Sequence, residues 1–269
     1  MLLAIDANYI TAGLLFVFFT MEQVLATPFK FTKRPQHLFQ NVLFQVLFVI
    51  ANYFFALLLV FCVQWLNNHQ VGLLYMIQIP FWIKLLIGVA LFDMTSYWFH
   101  RMAHKSPLLW RLHRVHHSDT SLDSTTAFRG HPLEILVFGS GNILAVALFG
   151  LDIMTLTLYF FILIPIFFLE HINLQFPRWA DASLGRIFVT PNLHKVHHEQ
   201  DQHFTDSNFA DIFIIWDRLF GTYKYKAVKE IKYGLKEFDE DKKQTFWYLL
   251  RSPFMPIKRI DSEEYKKIK

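Results

Sequence analysis

Eight of the 13 histidines of this chain occur in three tight groups, and the fold must give these polar rings partners inside a very apolar chain. The groups read His100-x-x-x-His104, His113-x-x-His116-His117 and His194-x-x-His197-His198. Histidines three or four residues apart project from one side of a helix, and neutral imidazole binds iron, zinc, copper and nickel. The alternative is that these are ordinary core or surface histidines that share no metal site. It would leave many polar rings in an unusually apolar chain without partners. The spacing therefore predicts helices that present a shared metal site.

Five other histidines lie outside these groups. His171 comes shortly before the last group and is predicted to join it as a ligand. His131 precedes a proline at a predicted helix start, so a metal ligand and a capping residue both remain open for it. His203 lies off the helical face of the last group and is expected behind the ligands or in solvent. His37 and His69 lie in predicted loops and are not expected to bind metal.

Neighbours of the groups suggest how the ligands are arranged. Adjacent residues on a helix point about 100° apart, so His116 and His117 can face different ions. Asp93 lies on the same helical stripe as His100 and His104. Metal-bound histidines usually donate their second ring N–H to a carboxylate or carbonyl, so Asp93 either orients a ligand ring or is a polar residue that faces the helix bundle.

Composition places these groups in a membrane protein. Of the 269 residues, 54% are hydrophobic and 30 are Phe, which departs strongly from soluble proteins. Apolar segments cover residues 9–26, 42–65, 77–99 and 133–170, and the last is broken near residues 150–152. Membrane helices need about 20 apolar residues. We therefore expect one all-α integral membrane domain over residues 1–269, with three spanning helices followed by a tight hairpin.

Basic residues predict the orientation of the domain. Lys30, Lys33 and Arg34 follow the first apolar segment, whereas residues 66–75 contain no Lys or Arg. Cytoplasmic loops carry the excess of basic residues, so the histidine groups form a cytoplasmic helical cap, and residues 224–269 form a basic cytoplasmic tail. The net charge of +4 is modest and the chain has no nucleic-acid-binding signature, so nucleic acid is not an expected partner. The single cysteine, Cys62, excludes a thiolate metal site.

The three groups are followed by Asn208-Phe-Ala and Trp216-Asp217-Arg-Leu-Phe-Gly-Thr222. This pattern resembles the fatty acid hydroxylase and sterol desaturase superfamily over residues 93–223, and His131-Pro132-Leu-Glu134 looks closest to its sterol desaturases. The resemblance implies two iron ions with O₂ as co-substrate, and Asn208 and Asp217 as residues that support the ligands. The ligand set it implies is His100, His104, His113, His116, His117, His131, His171, His194, His197 and His198.

The resemblance also implies an activity. Its relatives include sterol C5-desaturases, C4-methyl oxidases, fatty acid 2-hydroxylases, alkylglycerol monooxygenases and carotenoid hydroxylases, so we expect hydroxylation or desaturation of a sterol-like, carotenoid or acyl lipid. The chain shows no fused cytochrome b5 region, which implies a separate electron donor such as a cytochrome b5-like protein, a ferredoxin or a reductase.

Two other classes of protein are considered. A zinc protease would need His-Glu-x-x-His, but His198 and His203 are one position too far apart for that motif. A membrane metal-binding or transport protein without enzymatic activity remains the alternative. It is disfavoured because transport paths place ionisable residues along the spans, whereas the first three apolar segments contain only three charged residues, Glu22, Lys84 and Asp93.

Overall fold

A computed structural model of the chain describes residues 7–25 and 34–260, with side chains from residues 13 and 35 onward in the two parts. Lys30 and Lys33, on which the predicted orientation depends, lie outside the described residues. Eleven α-helices and no strand of a sheet occur in the described part, which confirms the all-α prediction. The helices are α1 Ala7–Val24, α2 Arg34–Asn68, α3 Phe81–Lys105, α4 Pro107–His117, α5 Glu134–Phe149, α6 Ile153–His171, α7 Arg178–Ser183, α8 Pro191–His197, α9 Gln202–Thr205, α10 Ile215–Leu219 and α11 Phe246–Arg251.

Five of these helices, α1, α2, α3, α5 and α6, correspond to the apolar segments of the sequence. By length and composition, two segments are able to cross a membrane, Pro35–Tyr75 and Ile153–His171. The outward face of α2 is apolar, since Phe54, Leu57 and Phe61 are 67%, 57% and 64% exposed. Exposed apolar surface on this scale is typical of contact with lipid. The two long helices indicate membrane association, and the number of crossings stays a prediction.

The predicted break in the last apolar segment is a turn between α5 and α6. Gly150 ends α5 in the left-handed conformation with φ of 69°, and Asp152 caps α6 by accepting from the N–H of Thr155. Both helices pack against α3: α5 also contacts α2, and α6 also contacts α1. Helix α3, which carries the first two histidines, is therefore supported by both.

The chain after α6 folds over one end of this bundle as a cap of short helices. Residues 224–260 belong to this cap, because Leu235, Phe238 and Phe246 pack with Phe44 of α2 and Trp110 of α4 in one buried cluster. A second cluster joins α3 to the residues after α8, through Tyr97, Leu193, Phe209 and Ile214. Packing within the cap thus holds together the ends of α3, α4, α6 and α8 that carry the histidines.

At the opposite end, the turn after α5 lies against the loop after α2. Gly72 has φ of 120°, and a Cβ added to it would lie 2.0 Å from the backbone N of Gly150. Gly72→Ala should therefore lower the melting temperature of the purified protein in detergent more than Gly221→Ala does. Gly221 also has a positive φ, of 72°, but a Cβ there meets nothing within 4 Å, so it carries only the backbone cost of about 1 kcal/mol. Equal shifts in the two variants would contradict this packing.

Candidate metal centre

The helix ends bring nine of the ten predicted ligands into two adjacent buried groups. In each group one ligand atom per residue lies within 4.8 Å of those of all the others. The first group contains His100, His104, His113, His117 and His197, and the second contains His116, His171, His194 and His198. All nine side chains are buried. Imidazole accounts for every donor in both groups.

One short connection, between α3 and α4, explains how the first two sequence motifs meet. Ser106 ends α3 and caps α4 by accepting from the N–H of Leu109, and Pro107 occupies the first turn of α4. A proline at this position is compatible with a helix start but not with continuation of the preceding helix. The chain therefore turns sharply, and α4 lays His113 and His117 against the end of α3.

Helix α4 serves both groups because its histidines are adjacent. His117 contacts His104 of the first group, with 3.1 Å between their Nε2 atoms. The preceding residue, His116, contacts His171 of the second group, with 3.2 Å between their Nε2 atoms. The ring planes of His116 and His117 differ by 85°. Consecutive residues of a helix project about 100° apart, so the two rings can enter different groups.

The third motif reaches the site on α8, whose start is fixed by Thr190 as a side-chain cap. The buried ammonium of Lys195 donates to the carbonyls of Ile172 and Leu174, at 2.7 and 3.0 Å, just after the end of α6. This contact ties α8 to α6. His194 of α8 and His171 of α6 consequently meet, with 3.1 Å between their Nε2 atoms.

The Nε2 atoms of both groups converge on a common interior. In the first group, the Nε2 atom of His113 lies 3.0 Å from the Nε2 atom of His100 and 3.1 Å from that of His117. The Nε2 of His197 is buried without a hydrogen-bond partner. Converging ring nitrogens with buried lone pairs are the donor arrangement that a divalent metal ion satisfies.

Burial keeps the histidine rings of the cap in the neutral form that metal binding requires. It lowers the pKa of His113 to about 3, with the nearby positive charge of Arg259 as a second cause. Burial also lowers the pKa of His116, His117 and His198 well below the usual value, assisted by neighbouring histidines. Neutral imidazole has one free lone pair, which is the form that binds metal.

Backbone carbonyls fix the orientation of three rings. In each case the Nδ1 atom donates, so the Nε2 atom is left with its lone pair facing the interior. The pairs are His100 with Phe209 at 2.8 Å, His197 with Ser207 at 2.7 Å and His171 with Phe167 at 2.7 Å. Only one tautomer of each ring satisfies these contacts.

Carboxylates orient two other rings, and the sequence pattern alone did not predict this role for them. Glu134 accepts from Nδ1 of His113 at 2.7 Å, and Asp206 lies 3.2 Å from Nδ1 of His104. Glu134 is in the first turn of α5, and its position three residues after His131 was a usable signal. Asp206 comes from the loop after α9, and no sequence spacing connects it to His104.

Two of the three predicted supporting residues, Asp93 and Asp217, bind the backbone of one loop. Asp93 accepts from the N–H groups of Ile212 and Phe213 at 3.1 and 3.0 Å and from the indole of Trp216 at 2.8 Å, so the structure places it against this loop and not against a ligand ring. Asp217 accepts from the N–H groups of Phe209 and Ala210 at 2.8 and 2.9 Å.

Asn208 lies in the same loop with φ of 51°. Its amide donates to the carbonyls of Leu193 and Lys224, each at 2.9 Å. It therefore ties the loop to α8. Because Phe209 and Ser207 supply the carbonyls that orient His100 and His197, the supporting residues hold the ligands through the loop backbone.

The structure places His131 outside both groups. Its Nε2 lies 3.1 Å from the carbonyl of Leu250, and its Nδ1 accepts from the N–H of Leu133 at 3.2 Å. Its backbone N–H donates to Oε2 of Glu134 at 3.0 Å. These contacts match the capping alternative, and they hold the carboxylate that orients His113.

The other three histidines also lie outside the two groups. His203 is exposed, and His69 stacks on Trp65 at the far end of α2. His37 differs from its prediction as a loop residue, because α2 begins earlier than the apolar pattern and includes it. Its ring is buried and contacts the carboxylate of Asp119 at 2.8 Å.

These positions predict different effects for two histidine substitutions. His113→Ala removes a ring whose Nε2 faces the first group, so the variant should lose metal after reconstitution with ferrous iron. His131→Ala should retain the wild-type metal content, because neither ring nitrogen faces a group. Metal analysis of both purified variants measures the difference. Equal metal loss in the two variants would contradict the placement of His131.

The contact between Glu134 and His113 predicts a weaker effect from the carboxylate. Glu134→Leu leaves the Nδ1 atom of His113 without its acceptor, and loss of such partners typically lowers metal affinity by about 10- to 100-fold. Glu134→Gln keeps one acceptor and should lie between wild type and Glu134→Leu. Competition with a metal chelator measures the affinity, and Glu230→Leu, at an exposed carboxylate, serves as the control. Wild-type affinity in Glu134→Leu would exclude this role.

Comparison with known proteins agrees with the geometry. The chain is 35% identical to the alkylglycerol monooxygenase of Danio rerio over 183 residues, which cover 64% of this chain and 36% of that protein. It is 30% identical to the very-long-chain aldehyde decarbonylase GL1-11 of Oryza sativa over 166 residues, or 60% and 62% of the two chains. It is 30% identical to methylsterol monooxygenase 2-2 of Arabidopsis thaliana over 141 residues, or 52% of each.

The chain thus spans about one third of the length of the alkylglycerol monooxygenases that it matches. No solved structure matches it. The model of the fatty acid hydroxylase family matches residues 85–222, just over half of the chain, and this range contains all nine histidines of the two groups. The chain belongs to the fatty acid hydroxylase family.

Proposed function

We propose that the protein is a membrane-bound oxidase that holds two iron ions and uses O₂ to hydroxylate or desaturate a C–H bond of a membrane lipid. The observation that carries the proposal is the pair of adjacent buried groups, with five and four imidazoles. A structural zinc site uses four ligands and a catalytic one usually three, so nine rings exceed the needs of one zinc ion. Two groups of this size support two ions with positions left for O₂.

The proposed ligands are the nine converging histidines, without His131. The two groups are contiguous, since the rings of His117 and His198, one from each, stack with centroids 4.7 Å apart. His116 and His117 come from the same turn of α4, so one helix would hold both ions. This arrangement supports a shared dinuclear centre better than two independent sites.

A metal transporter remains the second candidate, but the distribution of ligands disfavours it. Transport requires ionisable groups along a path through the spans. In the described residues, all nine rings lie at one end of the bundle, in or directly after the C-terminal parts of α3, α4, α6 and α8. A closed end with every ligand together is better suited to chemistry at one place.

The protein residues have three tasks in this function. The Nδ1 contacts of His100, His104, His113, His171 and His197 hold these five rings in the tautomer that directs Nε2 inward. Aromatic side chains surround the rings and exclude water, with Phe209 5.0 Å from His104 and Phe138 5.8 Å from His113 between ring centroids. Iron bound here would supply the O₂ chemistry needed to break an unactivated C–H bond.

The substrate is proposed to be an apolar lipid that reaches the centre from the bilayer. Helices α3 and α6, which carry His100, His104 and His171, expose apolar side chains such as Leu86 and Phe161, at 60% and 64%, and this favours a substrate dissolved in the membrane. Because relatives are named alkylglycerol monooxygenase and methylsterol monooxygenase, ether lipids and methylsterols are the first compounds to test, followed by other sterols, carotenoids and acyl lipids.

Anaerobic reconstitution with ferrous iron tests the proposal. The wild-type protein should bind two iron ions per chain, and Mössbauer spectroscopy should show a coupled pair after oxidation. Incubation with lipid, O₂ and a chemical reductant should give a product heavier by one oxygen atom or lighter by two hydrogen atoms, measured by mass spectrometry. One iron per chain, or equal conversion with zinc alone, would exclude a di-iron oxidase.

We further propose that the histidine groups and the cap face the cytoplasm, as the basic loops predict. With Cys62 replaced, His203→Cys should be protected from an impermeant thiol reagent in intact cells, and Asn68→Cys should react. Both positions are exposed, so each cysteine is accessible from its own side of the membrane. The reverse labelling pattern would invert the orientation.

A further inference from the structure

Helix α1 carries a buried carboxylate at the end that lies near the histidine groups. Glu22 is the only charged residue of α1, and 3% of it is exposed. An ionisable residue in an apolar helix is costly, so it usually faces the interior of the bundle and has a specific partner there. The contacts that orient the histidine rings come from other residues, so this carboxylate needs a separate explanation.

One oxygen of this carboxylate accepts two backbone hydrogen bonds. Oε1 of Glu22 accepts from the N–H of Asn173 and from the N–H of Ser124, each at 2.8 Å. Asn173 comes two residues after His171, at the end of α6. Ser124 lies in the loop that follows α4, the helix that carries His116. Glu22 therefore joins α1 to the segments that follow two ligands of the second group.

The ammonium of Lys195 binds the first of these segments through its carbonyls. Residues 172–174 are buried and lie outside any helix, so their backbone groups need partners from elsewhere. Lys195 donates to the carbonyls of Ile172 and Leu174, and Glu22 accepts from the N–H of the residue between them. We call Glu22, Lys195 and residues 172–174 the brace.

The two charged groups of the brace also compensate each other. Lys195 interacts electrostatically with two acids, Glu22 and Asp181, and all three side chains are buried. Asp181 accepts from the side chains of Thr190 and Asn192, at the start of α8. Of the two acids, Glu22 is the one that binds residues 172–174. Loss of one member of a buried pair leaves the other charge poorly compensated.

The brace adjoins the second histidine group. Ile172 directly follows His171, and Lys195 directly follows His194. The Nε2 atoms of these two histidines lie 3.1 Å apart. The orienting contacts of the first group come from other residues, which are Phe209, Ser207, Glu134 and Asp206. Loss of the brace should therefore affect the second group more than the first.

We infer that Glu22 is a positioning residue for the metal ion of the second group. Together with Lys195 it fixes residues 172–174, and through them it sets the separation of His171 and His194. This inference rests on the proposed function, in which two ions occupy the two groups. It makes α1 a part of the metal centre, although α1 supplies no ligand.

Hydrogen–deuterium exchange of the iron-loaded protein tests the contact. Glu22→Leu leaves two N–H groups without their acceptor, so peptides covering residues 170–176 and 122–128 should exchange about tenfold faster than in wild type. Gln23→Leu is the matched control, because Gln23 is the next residue of α1, is exposed and donates to the carbonyl of Phe19 in the same helix. Equal exchange in the two variants would overturn the inference.

Iron occupancy tests the positioning role. Glu22→Leu should bind about half as much iron per chain as the wild-type protein, and its Mössbauer spectrum should show uncoupled in place of coupled iron. Glu22→Gln keeps an acceptor oxygen but loses the charge, so its iron content should lie between the two. A full content of coupled iron in Glu22→Leu would exclude the role.

Two histidine variants identify the ion that is lost. His194→Ala removes a ligand of the second group, so adding Glu22→Leu to it should cause no further loss of iron. His113→Ala removes a ligand of the first group, so adding Glu22→Leu to it should remove most of the iron that remains. General destabilisation of the fold would lower the iron content in both backgrounds, and that result would contradict the inference.

Lys195→Met tests the pairing of the two charges. Chelator competition gives the Kd for iron in Glu22→Leu, in Lys195→Met and in the double variant. The double variant should raise the Kd by less than the product of the two single effects, because the second change removes the charge that the first left poorly compensated. An effect equal to that product would show that the two residues act independently.

Failure of the proposed function has a different signature. If the wild-type protein shows no coupled iron pair, the di-iron function fails, and the brace is then tested with zinc, which imidazole also binds. In the His113→Ala background, Glu22→Leu should still raise the Kd for zinc. An unchanged Kd for zinc would overturn the role of Glu22, whatever the outcome with iron.

Discussion

The structure depends on satisfying nine imidazole rings that are buried together. A buried polar ring without a partner is costly, and each ring has two nitrogens to satisfy. In five of the rings the contacts divide this requirement between two sides: Nδ1 binds a carbonyl or carboxylate of the surrounding protein, and Nε2 faces the interior. The second side is complete only with metal. The fold of the cap is therefore expected to be coupled to metal binding, as in other proteins whose buried ligands come from several segments.

The long helices and the cap contribute differently to this site. Helices α3 and α6 bring His100, His104 and His171 to one end of the bundle simply by ending there. The short helices α4 and α8 have no such support, so their positions depend on caps and packing. Lys195 ties α8 to the end of α6, and Trp110 ties α4 to the C-terminal cluster. Residues 224–260 are thus part of the structure that positions the ligands.

Much of this arrangement was predictable from sequence, because it follows from periodicity. The apolar segments predicted the long helices, and the i, i+3 and i+4 spacing of the histidines predicted three helical faces whose rings converge. His171 was placed with the last motif because it closes an apolar segment just before it. What periodicity does not encode is contact between distant loops. Asp206 meets His104 only because residues 202–217 fold over α3, and no local pattern specifies that contact.

The open alternatives for His131 and Asp93 show the same limit. A histidine before a proline is compatible with both capping and ligation, and only the position of the start of α5 distinguishes them. Asp93 lies on the ligand stripe of α3, but it is nearly two turns from His100, and the loop at residues 211–213 occupies the space between. Its carboxylate therefore binds loop N–H groups instead of a ring. The same loop contains Phe209, whose N–H donates to Asp217 and whose carbonyl accepts from His100. Asp93 therefore supports this ligand through the backbone of the loop.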